Sequence, residues 1–488
     1  MRCLKLGGGA VALLVCGVLS SSIASAGGIE FGPPQEPARA RSAPKKPPAA
    51  TLPPAAAPAR EDALPETVNR APTATSPLPK SSDPPLAAPP PVPAAKSTTS
   101  GMPPPPAPAN CRNTGRYEAW LAGFRKEAEA EGISRRAISS ALDGMTLDQS
   151  VIARDRKQGF FAQSFLDFSA KLATGNRIQS GRAQIAKNRA TFERVDKEFG
   201  VPASVITGFW ALESDFGAGM GKLPILRSLA TLAYDCRRGP TMFRDELKAA
   251  LRIIDRGDMT AQTMIGSWAG EIGQTQFLPT RYLEHAIDYD GDGRSNLFAN
   301  AADIIGTTAN YMVHLGWRRG EPWLEEVRVP DKLAWEEADL TIKHPRSKWA
   351  AWGVERADGR ALSADELPAS LLLPMGRYGP AFLAYANFDV YLQWNQSLNY
   401  ATTAAYLATR IDGAPAMSRG RADIAVLSDT DARDLQRILA KRGFDVGEID
   451  GKIGLKTRQA VKTMQRKLGL PADSYPTPEL LTALRGGG

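Results

Sequence analysis

The stretch FWALESDFGAGMGK, residues 209–222, places Glu213 at the end of an apolar run in which Val205, Ile206, Phe209, Trp210 and Leu212 cover nearly every side of a helix. A carboxyl delivered there meets two influences of the same sign. Desolvation disfavours the anion, and so does the negative end of the helix dipole. A carboxylic acid that stays protonated near neutral pH is what general-acid cleavage of a glycosidic bond requires. A helix-end glutamate that turns to solvent or pairs with a cation fits the same pattern, and the run by itself leaves both readings open. Ordinary glycosidases use two carboxylates. Asp215 would leave from another face if the helix continued, and Glu271 is the other acidic candidate.

A second acidic group lies in DYDGDGRSNLF, residues 288–298. Asp288, Asp290 and Asp292 occupy the first, third and fifth positions of a calcium loop, with Gly293 at the sixth and a backbone carbonyl at the seventh. Ala299 stands where such loops place a bidentate Glu, so Asp303 is the candidate that closes the ligand set. A turn held by Asp side chains accounts for the same residues without metal. His285, His314 and His344 show no ligand spacing with the cysteines, which argues against zinc.

These groups need rigid elements around them. Phe192, Val195 and Phe199 recur at helical spacing, Gly200 supplies a stop, and Pro202 suits the first turn of the helix that delivers Glu213. Residues 323–375 mix Trp, Pro and β-prone pieces such as VRV at 327–329, which predicts a small strand-containing insertion; helical patterning resumes near Asn399. After a polar connection over 412–426, residues 427–485 form a separate three-helix pattern built on Leu435, Ile438 and Leu439, then Ala460, Val461, Met464 and Leu468, then Pro478 to Leu484.

The amino terminus reads differently. Arg2 and Lys5 precede an apolar stretch, and Ala24-Ser25-Ala26 provides a cleavage site, so residues 1–26 are expected to be a signal peptide and the protein exported to the periplasm, without a membrane span in the mature chain. Residues 27–110 hold most of the 38 prolines and only one aromatic, Phe31, and are expected to remain a disordered, semi-extended tether. The net charge of +8 is a mild excess with no dense basic block, so it suits an acidic polymer without implying nucleic acid. Removing the signal leaves two of the four cysteines, Cys111 and Cys236, which in an oxidising compartment suggest one disulfide.

ALESDFG with AGMGK, SWAGEIGQTQFLPTRY at 267–282, DYDGDGRSNLF, ANYM at 309–312 and YLQWNQSLNY at 391–400 together resemble the lytic transglycosylase B family over residues 116–411. The resemblance implies a mainly α, lysozyme-like catalytic domain that cleaves peptidoglycan glycan strands, with Glu213 as its single general acid and base. It places Ser267, Gln276, Tyr311 and Tyr400 around the sugars. Each also has a structural reading: a cap for Ser267, backbone satisfaction for Gln276, and core packing with a hydrogen-bonded hydroxyl for the tyrosines. The implied chemistry needs no cofactor, and the only metal candidate is a structural calcium at Asp288, Asp290, Asp292 and Asp303.

Residues 427–484 resemble the small three-helix peptidoglycan-binding domain through Asp450-Gly451, Gly454, Thr457, Gln465 and Leu470, and depart from it at DSYPT, residues 473–477. Two rival functions follow from these features: a hydrolytic muramidase, and a noncatalytic wall-binding scaffold.

The Cys111–Cys236 pairing is expected to leave no alkylatable thiol in denatured, unreduced mature protein. Reduction should cost about 4 kcal/mol of stability through the long loop it opens; two reactive thiols before reduction would refute the pairing.

Overall fold

The computed structural model describes residues 113, 115–156, 163–235 and 241–487 of the chain. The expected signal peptide, the tether and both Cys111 and Cys236 lie outside the described residues.

The larger domain is mainly helical and is organised around the helix Ala203–Ser214, in which every residue from Ser204 to Ser214 is buried. That is the outcome expected of a helix apolar on all faces. The preceding helix, Arg189–Phe199, ends at Gly200 in the left-handed conformation, φ 68°. A Cβ at Gly200 would also stand 2.6 Å from the Arg319 side chain, so the stop is fixed by backbone conformation and by space. Two more helices flank the central one. Gly175–Lys187 approaches closely at Gly181, where a Cβ would meet Ile411 at 2.9 Å and Thr207 at 3.2 Å. Leu398–Asp412 runs alongside, with Ala401, Ala404, Ala405 and Ala408 all buried. Small residues on that face let two backbones pack closely around the buried carboxylate.

The strand-containing insertion forms a five-stranded antiparallel sheet in the order His344–Pro345, Pro368–Leu372, Ala381–Ala384, Leu324–Arg328, Glu355–Arg356. Leu383 pairs with Leu371 on one side and Glu325 on the other, so the insertion extends past Met375 to Ala384. The sheet has its own apolar cluster, including Trp335, Trp349, Leu371, Leu383 and Tyr385. A two-stranded pairing of Leu223–Pro224 with Ile265–Gly266 joins the segment after Glu213 to the segment of Ser267.

The carboxyl-terminal module consists of helices Asp429–Lys441, Leu455–Lys467 and Pro478–Arg485. Leu435, Leu439, Val461, Met464, Leu480 and Leu484 close its separate core. Among the described residues no helix is long and apolar enough to cross a membrane.

Candidate active site

Glu213 is fully buried one residue before the end of its helix. Two donors reach it from different helices. The Tyr400 hydroxyl, on Leu398–Asp412, donates to Oε1 at 2.5 Å, and the indole N–H of Trp394, the last residue of Ala386–Trp394, donates to the same oxygen at 2.9 Å. Oε2 has no hydrogen-bond partner among the described residues. Burial pushes the carboxyl up to about 7, against the opposing pull of Tyr400 and Trp394. One oxygen is thus fixed as an acceptor, and the other is left to hold or release a proton near neutral pH.

A raised pKa does not single out Glu213. Burial also pushes Glu246 up to about 7, but both its oxygens are occupied, accepting the Thr280 N–H and hydroxyl at 2.9 Å each. Glu246 is therefore a buried cap on the helix Pro279–His285, with neither oxygen left over for chemistry.

The turn after the acid is strained and heavily braced. Asp215 and Phe216 both have left-handed backbones, φ 48° and 58°, costing about 1–2 kcal/mol each for a residue with a Cβ. Arg177 grips Asp215 through two bonds, Nε to Oδ1 at 2.5 Å and Nη2 to Oδ2 at 2.8 Å, while its Nη1 donates to the Leu172 carbonyl at 2.9 Å. Ser214 Oγ donates to the Gln274 carbonyl at 2.6 Å and accepts from Gly217 N–H at 2.9 Å. Asp215 is thus an anchor of the turn, engaged by a cation.

Of the other sequence-predicted residues, Tyr400 touches the acid directly. Tyr311 is buried with its ring 5.4 Å from Trp394 and 5.2 Å from Phe277, so it backs the Trp394 indole. Ser267 is buried: its hydroxyl donates to Glu271 Oε2 at 2.9 Å and accepts from the Ala269 and Glu271 N–H groups, both at 3.2 Å. Gln276 has a left-handed backbone, φ 53°, and its amide nitrogen donates to the Gly273 carbonyl at 2.8 Å. Its buried Oε1 has no partner among the described residues, an acceptor free to take a hydroxyl or amide donor.

Three participants were not singled out from sequence: Trp394, Arg177 and Gln274, whose side chain accepts from Trp210 Nε1 and donates to the Phe298 carbonyl, both at 2.7 Å. For Trp394 a signal existed, since a buried indole N–H needs an acceptor and Tyr400 lies just beyond in the same motif.

In the acidic loop, oxygens of Asp288, Asp290 and Asp303 lie within 4.8 Å of one another. Asp292 is outside that group and accepts from Arg294 N–H at 3.0 Å. Asp303 is raised chiefly by burial and further by the charges of Asp290 and Asp288, a repulsion that a hard divalent cation relieves. The three-carboxylate oxygen set fits calcium chemistry.

Residues 116–409 match the family model for the transglycosylase SLT domain. The chain belongs to this family. Residues 428–484 match a peptidoglycan binding domain. Among transglycosylase relatives, the membrane-bound lytic murein transglycosylase B of Escherichia coli K12 is 29% identical over 238 residues, covering 49% of this chain and 64% of that protein, less than two thirds of its length. The structure of SltB3 from Pseudomonas aeruginosa in complex with NAG-anhNAM-pentapeptide is 39% identical, covers 76% of this chain and 99% of its own, and superposes with a TM-score of 0.70. The E. coli transglycosylase Slt35 in complex with calcium is 27% identical, with coverage of 62% and 94% and a TM-score of 0.51.

A carboxyl that titrates near 7 in the native state and near 4.5 unfolded leaves stability intact below 4.5, erodes it as pH rises toward 7, and adds no further loss above that. Glu213→Gln should therefore gain stability relative to the parent by about 3 kcal/mol between pH 4 and pH 8. Urea midpoints across that range measure it, Glu246 contributing equally to both proteins; a pH-independent difference would mean that Glu213 is not held neutral by burial.

Proposed function

We propose that the protein is an exported, periplasmic lytic murein transglycosylase. It cleaves the β-1,4 bond between N-acetylmuramic acid and N-acetylglucosamine in peptidoglycan and leaves a 1,6-anhydromuramyl end, with Glu213 as the single acid and base. The observation that carries this reading is the asymmetry of the Glu213 carboxyl, with two neutral donors on Oε1 and none on Oε2. Family membership and the product-like ligand bound by SltB3 support the reaction class.

Protonated Oε2 gives its proton to the glycosidic oxygen as the bond from the muramyl anomeric carbon breaks. The N-acetylglucosamine end leaves as an alcohol, and the substrate's acetamido oxygen stabilises the cationic carbon. The muramyl 6-hydroxyl then attacks that carbon and returns its proton to Oε2, so the enzyme is regenerated and no water is consumed. Tyr400 and Trp394 hold Oε1 through both steps and partly stabilise the transient carboxylate. Among the described residues no second carboxylate bonds to Glu213: Asp215 is held by Arg177, and Glu271 accepts the Ser267 hydroxyl. Gln276 Oε1 and the Ser267 segment are the polar groups assigned to orient the sugars. The carboxyl-terminal module binds peptidoglycan, and Asp288, Asp290 and Asp303 would hold a structural calcium.

Glu213→Gln keeps shape but cannot exchange a proton in this way. It should lower formation of anhydro products by at least about 10²- to 10⁴-fold while the fold and glycan binding persist, whereas Asp215→Asn should cost far less. Mass spectrometry of digested peptidoglycan reads both, and reducing ends in place of anhydro ends would make the enzyme a hydrolytic muramidase. Near-parental activity of Glu213→Gln would remove the assignment of the acid.

Calcium at about a hundredfold excess over its dissociation constant should stabilise the fold by about 2.7 kcal/mol, and Asp288→Asn with Asp303→Asn should abolish that increment. A melting temperature unmoved by calcium would refute the site.

A further inference from the structure

The module's departure from its family pattern, DSYPT, is where it meets the enzyme domain. Asp473 is almost wholly buried; its Oδ2 accepts the Arg377 backbone N–H at 3.0 Å and Arg377 Nη1 at 3.2 Å. Its Oδ1 accepts from Gln465 of the module at 2.9 Å and from the Tyr475 N–H at 3.1 Å. Tyr475 joins the apolar cluster of the enzyme domain and lies over Gly376, where a Cβ would stand 2.8 Å from the Tyr475 Cβ. On the neighbouring helix, buried Arg458 donates to the carbonyls of Leu373 at 2.6 Å and Pro374 at 3.2 Å, and Lys462 pairs with Asp339 at 2.8 Å with both side chains nearly covered.

The connection expected to be a linker is strapped down as well. Arg421 N–H donates to the Tyr378 carbonyl at 2.6 Å, and its guanidinium bonds the Arg377 carbonyl and Asp331. Ser418 N–H donates to Glu326 Oε1 at 2.7 Å, and Met417 and Ile424 pack on the enzyme core. A flexible tether needs none of this. Burying a guanidinium against bare carbonyls is costly unless the geometry is held, and such groups fix one docking arrangement.

The seam also reaches the catalytic helices. Leu372 and Leu398 on the enzyme side face Leu455 and Arg458 of the module across one crevice. Leu398 opens the helix whose third residue, Tyr400, donates to Glu213.

We propose that the carboxyl-terminal module is a fixed part of the enzyme, keyed by Arg458 and Asp473, and that these are positioning residues which, through Leu398 and Tyr400, set the geometry of the acid. This rests on Glu213 being the acid. The module therefore contributes to turnover even on substrate that it does not itself bind.

The test uses the full chain with Arg458→Met and, separately, Asp473→Asn. Hydrogen exchange over 412–426 should show the Arg421 amide protected in the parent and at least about tenfold faster in each variant. On a soluble GlcNAc–MurNAc tetrasaccharide, kcat should fall on the order of tenfold with KM within about twofold, because misplacement of a catalytic group lowers transition-state stabilisation and leaves ground-state binding in place. An unprotected Arg421 amide in the parent overturns the docking, and parental kcat in variants whose seam exchanges freely overturns the positioning role. If Arg458→Met does not fold, Asp473→Asn alone decides, since it keeps the side-chain volume. The exchange readout needs no turnover, so it succeeds or fails separately from the assignment of Glu213.

Discussion

The structure depends on holding one carboxyl in an apolar interior without a cation beside it. An arginine or lysine bonded to Glu213 would favour the anion and pull the pKa down, and the acid would be spent at neutral pH. The fold instead supplies two neutral donors to one oxygen, Tyr400 and Trp394 on Glu213 Oε1. Neutral donors moderate the desolvation without reversing it, and the carboxyl stays near 7. That choice dictates much of the surrounding packing. Trp394 must be aimed, and the rings of Phe209, Phe277 and Tyr311 stand 4.3, 5.7 and 5.4 Å from it. Tyr400 must reach the same oxygen from a helix that begins only after the turn at 395–397, and Ser397 caps that helix by accepting the Tyr400 N–H.

What was legible in the sequence follows from which interactions are local. The apolar run ending at Glu213, the stop at Gly200 and the three module helices are set by periodicity within a few turns, and the structure has them. The small sheet was legible as β-prone pieces, but its last strand, Ala381–Ala384, was not, because AFLA shows no alternation when both faces are covered. Motif matching assigned Tyr400 and Tyr311 to the sugars, and only the structure brings the Tyr400 hydroxyl to Glu213 and sets Tyr311 beside Trp394. The Arg177–Asp215 clamp joins two segments far apart in the chain, and no local pattern marks which of many arginines meets which aspartate. Asp292 shows the limit of a motif from the other side: it holds the right loop position, yet its carboxylate accepts the Arg294 N–H and stands apart from the other three.

An arginine whose field reaches Tyr400 shows how the constraint is met. Arg177 is buried and its field favours ionisation of the Tyr400 hydroxyl, so a free guanidinium there would act against a neutral site. Asp215 takes its Nε and Nη2, and the Leu172 carbonyl its Nη1. The pair is compensated in place, and burial remains the dominant influence on Glu213. The same clamp fixes the left-handed turn that begins one residue after the helix ends. Asp215 is therefore no spare catalytic carboxylate, since both its oxygens are taken by the Arg177 guanidinium. The proposed single-carboxylate mechanism agrees with this packing: Asp215 is engaged by Arg177 and Glu271 Oε2 by the Ser267 hydroxyl, while Glu213 is bonded only by neutral donors.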